Sequence, residues 1–507
     1  MTPPPASHRA ALLLAALGTL TFLVLGGWRI SGPGFYYDEC PWVPAIFTCL
    51  GQPAQLFDAL QIGDVTWQAM TYCAAAKSWL FALLMRLGLP FTLETWRWFG
   101  VAQVAIPLFA FTYALARRAG GGAALLALAL FLTDLTVLLT TRVDYGNTAM
   151  ALGLRLFVLA LWIEQPAPPP RTLFLMGLLL GFGVFEKLNN VVVVPVLALA
   201  AWGSGRRGWA AALSGGALGA LPLLIVNAAS WITQDRLISL ADAHDDVPWR
   251  PLWVIGHYLS LAQGDFVRGW FFARSAPWAA RCAEAVLIGL AGLLLLWVRP
   301  APVRRLAAAW WLILLALLLL PRRTEAHHWI AGTPFLYAAL AVAWPHRPRA
   351  RTALVAAWVV VLLLRGPALA DTFRAVRDVR YNERFDPSHT RAVYALAARS
   401  NALVIASTWG IAAQVVGQTG GRPGAVTETF HDPEALARQL RDPPHDVLYL
   451  VEVPRIRRLY PDATARVEQI IERLPGWWEK RPEPDLRDLP AVRVRKFVRR
   501  APPRTDD

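Results

Sequence analysis

Residues 10–39 read AALLLAALGTLTFLVLGGWRISGPGFYYDE: an uncharged run to Gly27, a Gly-Pro-Gly turn at Gly32–Gly34, then two adjacent carboxylates, Asp38 and Glu39. A helix from residue 10 to about 28 is long enough to cross a hydrocarbon core. No clear small-x-small cleavage site precedes the carboxylates, so the run reads as a retained first helix and not as a signal peptide. Asp38 and Glu39 are then released at the membrane surface, cheaply ionised yet beside lipid. That place suits an acid or base working on a substrate held in the bilayer. The plainer reading is a solvated loop pair, or an Asp capping a short helix. The rest of the chain has to decide between them.

Working outward, the chain of 507 residues is 56% hydrophobic, with a mean hydropathy of +0.39. Its long apolar runs make it a polytopic helical membrane protein. The runs lie near 10–28, 97–116, 121–140, 147–163, 172–186, 190–203, 208–228, 282–298, 306–321, 329–345 and 352–370, eleven in all. Fifty basic against thirty-five acidic residues give a net charge of +15. Much of the excess is Arg in short loops between runs, so membrane topology explains it better than nucleic acid does. Abundant Ala, Arg, Pro and Trp suggest a GC-rich bacterial source, hence a bacterial inner membrane.

Parity orders the loops. With Arg9 and the amino terminus in the cytoplasm, Arg117-Arg118, Arg171, Arg206-Arg207, Arg299 with Arg304-Arg305, and Arg347/Arg349/Arg351 all become cytoplasmic, provided residues 74–89 do not cross. If that stretch crossed, all of them would lie outside. It carries Lys77 and Arg86 within a short run, so residues 29–96 read as one long external loop with membrane-hugging segments. A second external loop spans about 229–281. It holds Asp242, Asp245 and Asp246 in an acidic turn, and Trp231, Trp249, Trp253, Trp270 and Trp278 in an interface belt.

Residues 1–370 thus read as the membrane domain and 371–507 as an external α/β domain. Ala402–Ser407 and Val447–Val453 read as buried strands. Val492–Val498 alternates apolar and basic residues, like an edge strand. Arg391–Arg399, Pro433–Leu440 and Ala463–Leu474 read as helices. Gly417–Gly424 is loop-like and is no dinucleotide fingerprint. The basic tail (Arg493, Arg495, Lys496, Arg499, Arg500) reads as solvated, or as touching an anionic membrane surface. Of four cysteines, Cys40, Cys49 and Cys73 fall in the first external loop, where a disulfide is chemically allowed; the fourth is Cys282. No spacing suggests zinc.

Charges also gather at the external ends of helices, against the topology bias. Arg142 and Asp144 end the third, Glu186 and Lys187 sit between the fifth and sixth, and Arg322-Arg323, Glu325 and His327-His328 join the ninth to the tenth. Lys77 lies in the first loop. Buried ion pairs, with Arg142–Asp144 and Glu186–Lys187 as local partners, are one explanation. The other is convergence on an anionic lipid headgroup, Arg binding phosphate through two parallel hydrogen bonds and Lys as a point charge. The two His residues are weak evidence for a metal without a third ligand.

The layout resembles the GT-C superfamily of membrane glycosyltransferases, and in outline the bacterial protein O-mannosyltransferase and aminoarabinose transferase group. The carriers are Tyr36-Tyr37-Asp38-Glu39, Tyr72-Cys73-Ala74-Ala75-Ala76-Lys77-Ser78-Trp79-Leu80, Arg142-Val143-Asp144-Tyr145-Gly146, Gly181 to Glu186-Lys187, Pro222 to Asn227, and His327-His328 before Pro334. No single piece is specific; their order and side of the membrane are. The resemblance implies an external active site and inverting transfer of a sugar from a polyprenyl-phosphate donor to an extracytoplasmic acceptor. It implies Asp38 as the base with Glu39 as its companion. It implies Lys77, Arg142, Lys187, Arg322 and Arg323 as candidates for the phosphate, and Tyr37, Tyr72, Asp144, Glu186, His327 and His328 as other pocket residues. Some relatives use a divalent metal and others basic residues; the supply of basic residues here favours none. The chemistry agrees, since attack on an anomeric carbon needs a base on one face and a stabilised leaving phosphate on the other.

Two readings compete with an enzyme. A flippase or transporter of lipid-linked glycans would more often carry inverted repeats with broken mid-membrane helices, and no internal repeat is visible. A scaffold would need no carboxylate near a basic pocket.

Overall fold

The computed structural model describes residues 6–35, 39–52, 60–70, 72–144, 147–238, 251–319, 326–343, 348–399, 401–408, 410–422, 424–428, 436–438, 440, 445–454, 462–473, 478–481, 489 and 492–499. The chain divides into two compact units. One comprises Met1–Ile30, Thr71–Ala74 and Arg97–Arg380; the other comprises Ser31–Met70, Ala75–Trp96 and Tyr381–Asp507.

The first unit is helical. Among the described residues, six helices are long and apolar enough to cross a membrane: His8–Gly27, Leu93–Ala119, Gly205–Gln234, Trp278–Leu296, Ala301–Leu319 and Val355–Arg377. The helices Gly121–Thr133 and Leu135–Val143 make a seventh if the bent pair counts as one span. The described residues of each of the eleven apolar runs fall mainly on helical segments. Among the described residues, the helix Gly205–Gln234 buries only Gly208, Ala212, Gly215, Gly219, Val226 and Ser230. Leu213, Leu224 and Ile232 on the same helix are 63%, 60% and 81% exposed. In water such a face would aggregate; against lipid it is the stable arrangement.

The buried stripe of that helix is small for a reason. It packs on the helix Pro170–Glu186 so closely that a Cβ on Gly177 would lie 2.3 Å from the Ala212 carbonyl oxygen, and one on Gly181 would lie 2.2 Å from that of Gly216. Gly215 and Gly219 meet the Phe174 and Leu178 carbonyls in the same way, at 2.0 and 2.2 Å. Helices associate in lipid through such backbone approach, because lipid tails are as apolar as Leu. The contact fixes the helix whose last residue is Glu186.

The second unit contains much of the first loop. Leu60–Ile62 and Val65–Met70 form an antiparallel hairpin, turned at Gly63 with φ +61°. Val43–Cys49 and Ala76–Arg86 are helices. At 11 residues the latter is roughly 16 Å long, too short to span. The same unit holds a five-stranded sheet in the order Val426–Glu428, Ala402–Ala406, Val447–Glu452, Arg493–Arg499, Trp478–Arg481. The first three strands are parallel and the last two antiparallel. Leu403, Ile405, Leu448, Leu450 and Phe497 from the sheet pack with Val467 and Ile471 from the helix Ala463–Arg473.

Several expectations need correction. Arg493–Arg499 is not an edge strand, because Trp478–Arg481 pairs outside it. Alternation reports that a strand has one packed and one wet face, not its place in the order. Its basic residues are therefore part of a sheet, and Arg495 lies 3.5 Å from Glu452 and 3.4 Å from Glu468. Among the described residues, Cys40, Cys49, Cys73 and Cys282 form no disulfide. The second loop is largely helical, with Pro251–Leu261 and Asp265–Phe272. Asp242, Asp245, Asp246 and Trp249 lie outside the described residues, as does half of Pro433–Leu440. Trp231 and Trp278 are 55% and 61% exposed, as interfacial anchors would be.

Candidate active site

The site is built where helices of the first unit end. The helix Leu135–Val143 carries Arg142 in its last turn and stops at Asp144, whose backbone is left-handed with φ 48° and ψ 53°. Asn147 is left-handed too, with φ 55°. Asp and Asn are the non-glycine residues that enter this region most readily, and such conformations concentrate at functional sites. Asp144 Oδ1 accepts from the Ala149 N–H at 2.7 Å, capping the first turn of the helix Thr148–Glu164. The Arg142 guanidinium donates to the Arg29 carbonyl. All three polar residues, Arg142, Asp144 and Asn147, are buried.

The helix Pro170–Glu186 ends because Asn189-Asn190 and a run of four Val follow, types that lower helix propensity. Lys187 turns extended at φ −152° and ψ 116°. Its backbone pairs with Cys73 in an antiparallel bridge, and the Leu188 N–H donates to the Tyr72 carbonyl at 3.0 Å. The Lys187 ammonium lies 6.0 Å from the Tyr72 ring centre. Asn147 Nδ2 donates to Glu186 Oε1, tying the two helix ends together. Glu186 is fully buried and Lys187 nearly so.

Beside this turn is a narrow cavity of about 20 Å³, lined by Thr148, Arg155, Lys187, Asn189, Asn190 and His328 among others. Asn190 Oδ1 accepts from Arg155, and Asn190 Nδ2 donates to the Gly183 carbonyl at 2.7 Å. Asn189 Nδ2 lies 3.0 Å from His328 Nε2. Two cations, a hydroxyl, two amides and an imidazole surround a water-sized hole, a lining chemically suited to an anion.

The structure thus brings Arg142, Asp144, Glu186, Lys187, Tyr72 and His328 into one unit. Glu39 and Lys77 belong to the second unit and are buried at 3% and 1% exposure. There the Lys77 ammonium lies 3.7 Å from the centre of the Trp96 ring, a cation–π contact. Tyr37, Asp38, Arg322 and Arg323 lie outside the described residues, as does the His327 side chain. Among the described residues no group of three or more His, Cys, Asp or Glu gathers as a metal site. Sequence reading passed over Arg155, Asn147, Asn189 and Asn190. The signal was present for Arg155: a charge inside an apolar run is functional by default.

Fold and helix ends together define a polytopic helical membrane protein with a mixed-sheet domain near its carboxyl terminus. The fold is shared with ArnT from Cupriavidus metallidurans solved with undecaprenyl phosphate bound: TM-score 0.61 at 11% identity, over 97% of this chain and 98% of that one. The apo ArnT structure matches with TM-score 0.57 at 11% identity, over 96% and 97%. A weaker similarity, TM-score 0.47 at 12% identity, covers 93% of this chain and 72% of the Archaeoglobus fulgidus oligosaccharyltransferase tethered to an acceptor peptide. No family model and no curated protein matches the chain.

Proposed function

We propose that this protein is an inverting glycosyltransferase that moves a sugar from a polyprenyl-phosphate donor to an extracytoplasmic acceptor. The observation that carries the reading is the buried basic cavity at the helix ends, where Lys187 and Arg155 meet Asn189, Asn190 and His328. The near full-length fold shared with ArnT, solved with undecaprenyl phosphate, supports it. All eleven apolar segments then cross or enter the bilayer, with the amino terminus cytoplasmic and residues 371–507 periplasmic, as the basic loops require.

In this reading an oxygen of the donor phosphate takes the water-sized hole beside Lys187 and Arg155, with Arg142, Arg322 and Arg323 as further sources of positive charge. Asp38 removes the proton of the acceptor nucleophile, and Glu39 is its companion. The nucleophile bonds to the anomeric carbon as the bond to phosphate oxygen breaks. The electron pair leaves with polyprenyl phosphate, and the cations stabilise the charge that develops there. Asp144 and Glu186 hold the cationic turns in place through their caps and amide contacts.

The test is donor turnover. Purified wild type and Asp38→Asn receive a panel of polyprenyl-phosphate sugars, and release of polyprenyl phosphate is followed by mass spectrometry. Turnover by wild type alone is expected. Equal turnover by both would discard Asp38 as the base, and no turnover of any donor, with acceptor-containing membrane extract added, would discard the class.

A further inference from the structure

A second buried polar cluster lies in the first unit, away from the cavity just described. The helix Gly121–Thr133 breaks at Asp134, and Leu135–Val143 leaves it at 62°. Asp134 Oδ1 accepts from the Thr136 and Val137 N–H groups at 2.9 and 3.2 Å, so it caps the second half. Its Oδ2 accepts from the Tyr337 hydroxyl at 2.8 Å. Arg365 joins the pieces: Nη2 donates to the Tyr337 oxygen at 2.9 Å, Nη1 to the Leu130 carbonyl at 3.0 Å, and Nε to Glu284 Oε1 at 2.6 Å. The Leu130 carbonyl is one that the break leaves without a helical donor. Glu284 Oε2 in turn accepts from the Gln263 N–H at 3.0 Å. The next residue, Gly264, lies so near the second half-helix that a Cβ there would sit 2.5 Å from Leu135 Cβ. Asp134, Glu284, Tyr337 and Arg365 are each at most 6% exposed.

Two carboxylates and a guanidinium cost much to bury in a membrane protein. The four residues line a cavity of about 40 Å³, with Trp310, Trp329 and Ile288 also in its wall, which has room for water. What the cluster holds is both sides of the break: the Leu130 carbonyl in the last turn of one half-helix, the cap of the next, and the turn pressed on Leu135. The half-helix it aims ends in Arg142 and Asp144.

We infer that Arg365, Glu284, Tyr337 and Asp134 form a positioning network that sets the angle of the half-helix Leu135–Val143, and through it the place of Arg142 and Asp144 in the active site. This inference rests on the transferase reading above for its kinetic consequence but not for its structural one. None of the four needs to touch substrate.

The experiment uses full-length protein in detergent with two variants, Arg365→Gln and the volume-conserving Tyr337→Phe. Two quantities are read: kcat and KM for polyprenyl-phosphate release, and hydrogen exchange of the peptide covering 130–145. Expected are a kcat lowered about tenfold or more, since displacements near 1 Å can cost a hundredfold, and a donor KM within about twofold. Exchange over 135–143 should be faster while that over 205–234 stays unchanged. Arg365→Lys should recover part of the kcat. A global loss of protection in Arg365→Gln leaves Tyr337→Phe to decide by the same criteria. Unchanged kcat in a folded variant, or lowered kcat with unaltered exchange over 135–143, overturns the inference. If wild type turns over no donor, the transferase reading has failed, and the exchange result alone decides: faster exchange at the half-helix sustains the network, unchanged exchange ends it.

Discussion

Asn189 Nδ2 and His328 Nε2 stand 3.0 Å apart, and they join two short helical turns far apart in sequence, Leu188–Val193 and Ala326–Ala331. Both residues line the cavity that Lys187 and Arg155 enter. Removing the amide leaves the imidazole nitrogen without that donor, a loss of about 1–3 kcal/mol for a buried acceptor. Asn189→Ala should therefore raise the donor KM several-fold, while Asn189→Asp, which turns the donor into an acceptor, should be worse. Titration of donor binding by native mass spectrometry checks the order; equal affinity for wild type and both variants would remove His328 from the site.

Lys187 and Arg155 carry the phosphate argument. If each faces a donor oxygen, Lys187→Ala and Arg155→Met should each weaken donor binding roughly tenfold or more, which is about 1.4 kcal/mol. Lys187→Arg should fail to restore it fully, because a planar fork does not occupy the place of a compact ammonium. Unchanged affinity for polyprenyl phosphate in both truncations would put the pocket elsewhere.

The helical framework was legible because apolar runs of membrane length have few other uses in a protein. The pairs Arg142/Asp144 and Glu186/Lys187 were legible because charges at helix ends interrupt those runs visibly. Arg155, Glu284 and Arg365 were passed over, since each is a single charge averaged away within a long apolar window, although a charge inside such a run is itself a signal. Asp134 looks like one polar residue in a continuous span, yet its carboxylate makes it a cap and breaks the helix there. The strand Arg493–Arg499 was misread as an edge because its partner Trp478–Arg481 is short and charged, with little to mark it as a strand. Which strand lies beside which is a matter of crossover connections, and these leave no local pattern.

The glycine contacts between Pro170–Glu186 and Gly205–Gln234 give a prediction with an internal control. A Cβ on Gly181 would lie 2.2 Å from a backbone oxygen, and one on Gly216 would meet nothing nearer than 3.9 Å. Overpacking against backbone costs about 1–3 kcal/mol or more. Gly181→Ala should thus lower the unfolding temperature in detergent by several degrees, and activity with it, since Lys187 follows six residues later on the same segment. Gly216→Ala should change neither. Equal melting of the two variants would mean the helices do not approach as closely as described.

Cys49 offers a measurement that needs no substrate. It is partly buried at the end of the short helix Val43–Cys49, and burial pushes its thiol up to about 11, against smaller opposing effects from Thr48 and Arg86. The thiolate is the reactive form, so at pH 8 only about one molecule in a thousand is ready to react, against roughly one in four for a thiol of about 8.5. Alkylation of native protein at Cys49 should be slow at pH 8 and rise about tenfold per pH unit toward 11, for as long as the fold persists. After unfolding without reductant, the intact mass should rise by four alkyl groups, one for each free cysteine. Rapid labelling of native Cys49 at pH 8 would show that its thiol is in water. A mass increase of only two groups would show that two of Cys40, Cys49, Cys73 and Cys282 are joined, and the arrangement of the first loop would have to be rebuilt around that bond.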